Sequence, residues 1–502
     1  MPFGLSLGLS FGLSFRLPLC MPFGLSFGLS QWGIVLMLWK TRPQNLPGNP
    51  GPFAFAGLDW VGEWISNVRD FIYVRSEDNV FIQRPNKAFH LNDEGVTLMK
   101  ALLDGQPIED ILAPHANNPQ AIQDTGQFLL DLRQMLKEGI DDTYESSAVE
   151  KIPFKMGFSK LPVLSEIAVT YKCNAACQFC YAGCNCTTNP VGNDKEMTLD
   201  EIKTVLDRIR NEAKVPSVSF TGGEATLRKD LHEMIRYARS IGMRVNLITN
   251  GMASTEKVVA KLVDAGLHSV QVSIEGTTAA MHDEITATPG AYKRAVAAVH
   301  RYREAGIHVN TNTTITRINR NDALEFPEYT KNTLKLDAFS MNLMIPTGSG
   351  ALNDKLVVSY TELGPILEKI QAESLRLGVE FKWYSPTPMC MFNPIVHGLG
   401  NKGCSACDGL ISVGADGQVL PCASYDKPLG NLLNRSFDSI WQTEAAKTYR
   451  NKSLAHELCK SCENFHICNG ACPLYWRHMG FDELNAVAGM ANDLPNRVDD
   501  HG

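Results

Sequence analysis

Between residues 160 and 350 the chain alternates short apolar, β-branched runs with longer amphipathic stretches. The runs are Glu166–Lys172, Val215–Thr221, Met243–Thr249, Ser269–Ile274, His308–Ile315 and Asp337–Ile345. Apolar runs of this length bounded by turn residues read as buried strands. Amphipathic helices are predicted at about Thr198–Asn211, Arg228–Ile241, Thr255–Ala265, Ala291–Glu304 and Asp322–Asn332. Six alternating β–α units predict an α/β fold whose parallel sheet curls into a partial (β/α)6 TIM-like barrel. Right-handed crossovers then gather every strand's C-terminal end on one face, where such barrels place their chemistry.

The flanking segments follow other patterns. Phe71–Arg75 and Asn79–Arg84 read as two strands joined by a Ser-Glu-Asp turn, and Ala88–Leu91 extends the small sheet. Asn92-Asp93 caps a helix running through Leu103 and stopping at Gly105. A short helix (Pro107–Leu112) and a long one (Pro119–Leu136) follow, so residues 57–150 predict a winged-helix-like α+β domain. Residues 1–56 predict a disordered extension. Met-Pro-Phe-Gly-Leu-Ser occurs at Met1–Ser6 and again at Met21–Ser26, with no helical or strand period. The apolar run Trp32–Trp39 is far short of the ~20 residues of a membrane span, and a Pro/Gly linker runs from Pro43 to Pro52. Beyond the barrel the reading is a helical connection (351–385), a Cys-rich domain (386–485) and a tail (486–502).

Composition narrows the class. A chain of 502 residues has room for about three domains. Its net charge of −7 and scattered basic residues argue against a nucleic-acid partner, and no membrane partner is expected. The 14 cysteines are grouped like metal ligands rather than a disulfide frame. Oxygen-sensitive metal chemistry implies a reducing, cytoplasmic setting.

The most informative group is Cys173, Cys177 and Cys180, placed directly after the first barrel strand. Three thiolates at i, i+4 and i+7 in one loop can hold three irons of a [4Fe–4S] cubane. Such a cluster normally takes four cysteines, so one iron stays open to another ligand. The alternative is a zinc knuckle, but zinc prefers paired ligands that close a tetrahedron. Together with the aromatic Phe179, this motif resembles that of the radical S-adenosylmethionine (radical SAM) enzymes.

The resemblance implies further roles. Gly222, Gly223 and Glu224 end the second strand and look like the Gly-Gly-Glu element that receives the methionine amino group. Ser273, in Ser273-Ile274-Glu275-Gly276, resembles the ribose-contacting element, with Glu275 where Asp is usual. Asn312 and Arg317, closing the fifth strand, are candidates for adenosine or the methionine carboxylate. Met344-Ile345-Pro346 is a candidate adenine wall. His282-Asp283 echoes a family stretch but lacks its Arg-Gly, Thr286-Ala287 standing there instead, so a structural role is expected. In this family one electron from the cluster splits the sulfonium of S-adenosylmethionine, and the 5′-deoxyadenosyl radical takes a hydrogen from an unactivated carbon.

A second cysteine field holds Cys390, Cys404, Cys407, Cys422, Cys459, Cys462, Cys468 and Cys472. The order Cys407-x9-Gly417-x4-Cys422, then Cys459-x2-Cys462-x5-Cys468-x3-Cys472, resembles the SPASM extension, which carries auxiliary iron–sulfur clusters. Zinc is the alternative for the Cys-x2-Cys pairs. By the family pattern, Cys404, Cys407, Cys422 and Cys472 would close one auxiliary [4Fe–4S] cluster, and Cys459, Cys462 and Cys468 would hold a second. The usual last cysteine is missing after Cys472, so that site is open, takes a mixed ligand, borrows Cys390, or is absent. Cys184 and Cys186 have no assigned role. Ala423 stands where sulfatase-maturing members carry an Asp base, which disfavours that activity. Tyr425 and Asp426 are the nearby catalytic candidates.

Residues 57–150 also resemble the peptide-recognition domains of pathways that modify ribosomally made peptides, such as the small partner protein of pyrroloquinoline quinone synthesis. Those domains bind a leader peptide as an added strand. The resemblances together imply a radical SAM/SPASM enzyme acting on a peptide, with an external reductant of flavodoxin or ferredoxin type. Alternatives are a maturase acting on a pterin, haem or other cofactor precursor, and an electron-transfer protein without catalysis. Gly222-Gly223-Glu224 argues against the last, since an electron carrier needs no SAM site.

Overall fold

The computed structural model describes residues 34–37, 57–85, 87–138, 146, 148–152, 159–184 and 195–492. The repeat at Met1–Ser26 with Cys20, the linker from Pro43 to Pro52, Cys186 and residues 493–502 lie outside them.

Two sheets organise the described chain. Strands β1 (Ile34–Met37), β2 (Ile72–Arg75), β3 (Val80–Gln83), β4 (Lys87–Leu91) and β5 (Val149–Ile152) form the first, in the order β2-β3-β4-β1-β5. The antiparallel meander β2-β3-β4 and the helices Asp93–Leu103, Ile108–Leu112 and Pro119–Glu138 follow the sequence pattern. Asn92 caps the first of these helices by accepting from Gly95 N–H at 2.9 Å. Two elements differ from the sequence reading. The run Ile34–Met37, assigned to a disordered extension, pairs with β4 and β5. Helix Trp60–Val68 precedes the meander and buries Val61, Trp64 and Ile65.

The second sheet has ten strands. β6 (Leu164–Thr170), β7 (Ser217–Gly222), β8 (Arg244–Thr249), β9 (Ser269–Ser273), β10 (His308–Ile315), β11 (Ala338–Leu343) and β12 (Glu380–Trp383) run parallel in sequence order. β13 (Leu410–Val413) adds in parallel beside β6, and β14 (Gln418–Leu420) and β15 (Gly430–Asn431) continue antiparallel. The parallel part of the sheet is therefore two strands longer than six β–α units require, by β12 at one end and β13 at the other. β12 is four residues long and contains Glu380 and Lys382, which hid it within an assumed helical connection. The predicted helix at Asp322–Asn332 is instead three short pieces, Asp322–Glu325, Phe326–Tyr329 and Thr330–Leu334.

Burial alternates along β8, β9 and β12, whereas β7 is buried at five successive positions. In β8, Val245, Leu247 and Thr249 are buried, whereas Arg244, Asn246 and Ile248 are half-buried. Successive side chains point to opposite faces, so the buried set meets the helices. The half-buried set carries polar ladders: Asn246 donates to Ser219 Oγ (3.2 Å) and accepts from Ser269 (2.8 Å). Asn310 donates to Ser340 Oγ at 2.8 Å and Asn312 to Asn342 at 2.6 Å.

The two sheets are joined by buried and half-buried polar bonds. Arg75 pairs with Asp78 at 2.7 Å and donates to Pro162 O (2.7 Å) and Leu161 O (3.0 Å), just before β6. Arg210 donates to the Tyr73 hydroxyl at 3.0 Å. No helix among the described residues is long and apolar enough to cross a membrane.

Candidate functional site

Cys173, Cys177 and Cys180 follow the C-terminal end of β6, all half-buried. Their loop is clamped from two directions. Ala176 and Gln178 N–H donate to Thr286 O and Ile285 O, both at 3.2 Å, at the end of helix Ala279–Ile285. Across the loop, Ser349 N–H donates to Cys180 O at 2.9 Å and the Asn353 amide to Gln178 O at 3.0 Å. A Cβ on Gly348 would stand 2.4 Å from Tyr181 O. His282 Nδ1 accepts from Glu275 N–H at 3.0 Å, and Asp283 accepts from Gly290 and Tyr292 N–H. The His282-Asp283 stretch thus shapes the turn that holds the cysteine loop.

The end of β7 lies against the same loop. A Cβ on Gly222 would sit 2.1 Å from Thr170 O, and one on Gly223 2.4 Å from Lys172 O. Glu224 is fully buried. Its Oε1 accepts from Thr249 Oγ1 (2.6 Å), Thr226 N–H (3.0 Å) and the Thr226 hydroxyl. Its Oε2 accepts from Asn250 N–H at 2.7 Å. The Asn250 amide reaches Asn174 Oδ1 at 2.8 Å and Cys173 Sγ at 3.8 Å. Glu224 thereby braces β7 to β8 and sets Asn250 beside the first cysteine. A carboxylate oxygen can accept two bonds, so Oε2 retains acceptor capacity.

Ser273 and Asn312 are register partners on β9 and β10, both half-buried. Phe179 packs partly buried against the main core. Arg317 is not brought to the loop. Its guanidinium meets Glu362 at 3.0 and 2.9 Å and donates to Val357 O at 3.1 Å. Glu362 closes the capping box of helix Tyr360–Leu377, so Arg317 fastens that helix.

Two residues near the loop gained no role from the sequence. Glu275 is buried, accepts from Thr314 N–H at 2.8 Å, and is pushed up to about 8 by burial. It lies beside Cys177, whose thiol is raised by burial first and by Glu275 next. Its replacement of the usual Asp was the signal for it. Cys184 hydrogen-bonds Cys180 and lowers its pKa.

The C-terminal cysteines fall into two groups. Burial pushes the Cys407 thiol up to about 12, opposed by Arg450 and Lys452 and reinforced by Cys404. Cys422 is raised by burial, then by Cys404 and Cys472, and Cys472 by burial, then by Cys404. Burial and neighbouring sulfurs thus hold Cys407, Cys422 and Cys472 as thiols, whereas a cluster would take them as thiolates and spread the charge. Two cations brace this group: Lys452 donates to Cys404 O at 2.6 Å and Arg450 to Cys407 O at 3.1 Å. Tyr425 is buried beside Cys404, Cys422 and Cys472, and its hydroxyl has no hydrogen-bond partner in the structure. A free buried O–H donor fits a site that receives an acceptor. Asp426 instead is exposed and faces Arg477 at 4.0 Å.

In the second group, the Cys459 thiol is pushed up to about 11 by burial, then by Cys468 and Cys462. Cys468 Sγ accepts from Met389 N–H at 3.4 Å and from the Gly470 and Ala471 N–H groups. The turn that aims them runs through Asn469, Gly470 and Ala471 at φ +59°, +72° and +64°. A sulfur facing several N–H donors fits a thiolate ligand. Among the described residues, no three His, Cys, Asp or Glu side chains close around a single-ion position. A cubane takes ligands at separate corners and needs no such convergence.

The chain is similar to known proteins over the barrel and the C-terminal cysteine region. The family model of the radical SAM superfamily matches residues 167–328, and that of the SPASM iron–sulfur cluster-binding domain matches residues 404–463. An AdoMet-dependent heme synthase of Methanosarcina barkeri is 30% identical over 332 residues, 63% of this chain and 92% of the relative. A PqqA peptide cyclase of Bradyrhizobium diazoefficiens is 28% identical over 330 residues, 62% of this chain and 81% of the relative. Among solved structures, Streptococcus suis SuiB bound to precursor peptide SuiA covers 81% of this chain and 95% of its own. Its TM-score is 0.58 at 14% identity.

Proposed function

Because the chain belongs to the radical SAM superfamily and carries its SPASM extension, we propose that it modifies an unactivated carbon of a ribosomally made peptide, by oxidative C–S or C–C cross-linking or a related change. It is an enzyme whose radical SAM domain binds a [4Fe–4S] cluster with S-adenosylmethionine and whose SPASM domain binds auxiliary iron–sulfur clusters. Bound in this way, cluster and cosubstrate supply a 5′-deoxyadenosyl radical that takes hydrogen from the substrate.

The chain's own residues supply position. Cys173, Cys177 and Cys180 hold the cluster in a loop fixed by the 279–285 helix and the 348–353 turn. Glu224, through the acceptor capacity of Oε2, and Asn250 receive the methionine ammonium at the edge of that loop. Ser273 and Asn312 take the ribose from the inner face of the barrel. Cys404, Cys407, Cys422 and Cys472 form one auxiliary site and Cys459, Cys462 and Cys468 most of another. Tyr425, beside the first, donates to a group bound there. An external flavodoxin- or ferredoxin-type protein delivers the electrons.

The observation that carries the peptide reading is the five-stranded sheet with its helices ahead of the barrel. The heme synthase relative is 92% accounted for by 63% of this chain, so over a third of the chain has no counterpart in that match. The fold of SuiB, a protein solved with a precursor peptide, spans 81% of it. We assign residues 57–150 to peptide recognition, 160–350 to the radical SAM barrel and 386–485 to the auxiliary clusters. Among the described residues β2 and β5 are the edge strands, where a peptide strand can add. The second reading, a haem-precursor maturase, is favoured by the identity to the heme synthases.

Anaerobic co-expression with each short open reading frame flanking the gene, read by tandem mass spectrometry, separates the two. The peptide reading expects a peptide lighter by a pair of hydrogens, lost in Cys173→Ala. Turnover of a porphyrin with every peptide unchanged would replace it with the second reading.

A further inference from the structure

The described cysteines sort into a loop of three after β6, a group of four around Cys404, and a group of three around Cys468, with Cys184 and Cys390 left over. Cys184 bonds Cys180 at the first of these. The group of three in the SPASM region is one thiol short of a full cubane set, and residues 473–502 contain no cysteine. Cys390 lies next in sequence to Met389, whose N–H donates to Cys468 Sγ at 3.4 Å.

We propose that Cys390 is the fourth ligand of the second auxiliary cluster, with Cys459, Cys462 and Cys468, so that this site is closed by a loop upstream of the motif. The inference rests on the reading of that site as a cluster site.

The loop is built to hold a fixed position. The Trp383 indole N–H donates to Thr387 Oγ1 at 2.8 Å, both groups buried. The Tyr360 hydroxyl donates to Pro386 O at 3.0 Å, and Thr387 N–H donates to Lys402 O at 3.2 Å. Met391 and Phe392 N–H both close on Pro388 O, at 3.0 and 3.1 Å, forming a tight turn with Cys390 inside it. Cys390 packs half-buried against the main core. A ligand on an anchored turn loses little freedom when it binds iron. Full thiolate ligation also leaves no iron of this cluster open to substrate, giving it an electron-transfer role.

The test compares anaerobically reconstituted wild type with Cys390→Ala and Cys459→Ala by iron content, Mössbauer and EPR spectroscopy. With three cubanes of four irons in the wild type, Cys390→Ala and Cys459→Ala should each lose about one quarter to four quarters of one cluster's iron, and a three-iron cluster signal should appear on oxidation. Full iron in Cys390→Ala with loss in Cys459→Ala overturns the Cys390 assignment alone. Full iron in both overturns the second cluster itself. Thiol alkylation of the intact holoenzyme gives an answer that needs no variant. Cys390 should be protected with Cys459, Cys462 and Cys468 and become labelled with them on iron chelation. Labelling of Cys390 while iron is retained would overturn the proposal.

Discussion

Gly222 has φ +134°, and any Cβ there would meet Thr170 O at 2.1 Å, so both backbone angle and space demand glycine. Gly222→Ala should cost about 3 kcal/mol of stability, the upper range for a strained backbone position, measured by denaturant titration. The sequence pointed to this glycine as a place for ligand approach. The structure adds that its close neighbour is the backbone at the end of β6, just ahead of the cysteine loop. Arg317 illustrates the converse. Position after β10 made it a ligand candidate, but the Glu362 that engages it lies 45 residues away in the sequence, beyond the reach of local pattern. Arg317→Ala is therefore expected to change SAM affinity by less than about twofold, and a loss beyond about tenfold, near 1.4 kcal/mol, would return it to the site.

His268 offers a pH test. Burial first, then Arg239, Arg244 and Arg84, depress its pKa from 6.5 to about 4, and its Nδ1 accepts from Val245 N–H at 3.0 Å. The unfolded chain thus binds a proton between pH 6.5 and 4 that the folded one refuses. Its stabilising contribution is present above about 6.5 and lost as pH falls toward 4. His268→Gln should lose less stability than wild type between pH 7 and 5, by roughly 1 kcal/mol after allowing for solvent screening of this half-buried group.

At the scale of elements, the six strands that the sequence made visible were those with continuous apolar, β-branched runs. β12 was missed because Glu380 and Lys382 break its pattern, although its register with β11 is regular from Ala338↔Glu380 to Met341↔Trp383. The segment Asp322–Leu334 looked like one helix by period alone. Pro327 opens its middle piece, and Lys335 leaves it in a left-handed conformation at φ +56°. Helix Tyr360–Leu377 begins with Ser359, whose hydroxyl accepts from Glu362 N–H at 3.2 Å. Ser359→Ala should lower stability by about 1 kcal/mol and loosen the Glu362 carboxylate that also holds Arg317 and Arg320.

For the whole molecule, chemistry was more legible than topology. The resemblance to the SPASM pattern, rather than spacing, divided the C-terminal cysteines into two sets, and in the structure Cys404 lies near Cys407, Cys422 and Cys472, and Cys459 near Cys462 and Cys468. Spacing could not place Cys390, because the bond from Met389 to Cys468 spans 79 residues. Nor could it show that Glu224 has most of its acceptor sites taken by Thr226, Thr249 and Asn250, a matter of side-chain packing between β7 and β8. In the proposed function, S-adenosylmethionine binds directly to a cubane held by the loop of Cys173, Cys177 and Cys180. EPR of the dithionite-reduced, fully loaded protein with and without S-adenosylmethionine tests this most directly. The cosubstrate should reshape one cluster's signal, and Cys173→Ala should lose this component while the auxiliary signals persist. A spectrum unchanged by S-adenosylmethionine in protein carrying its full iron would contradict it.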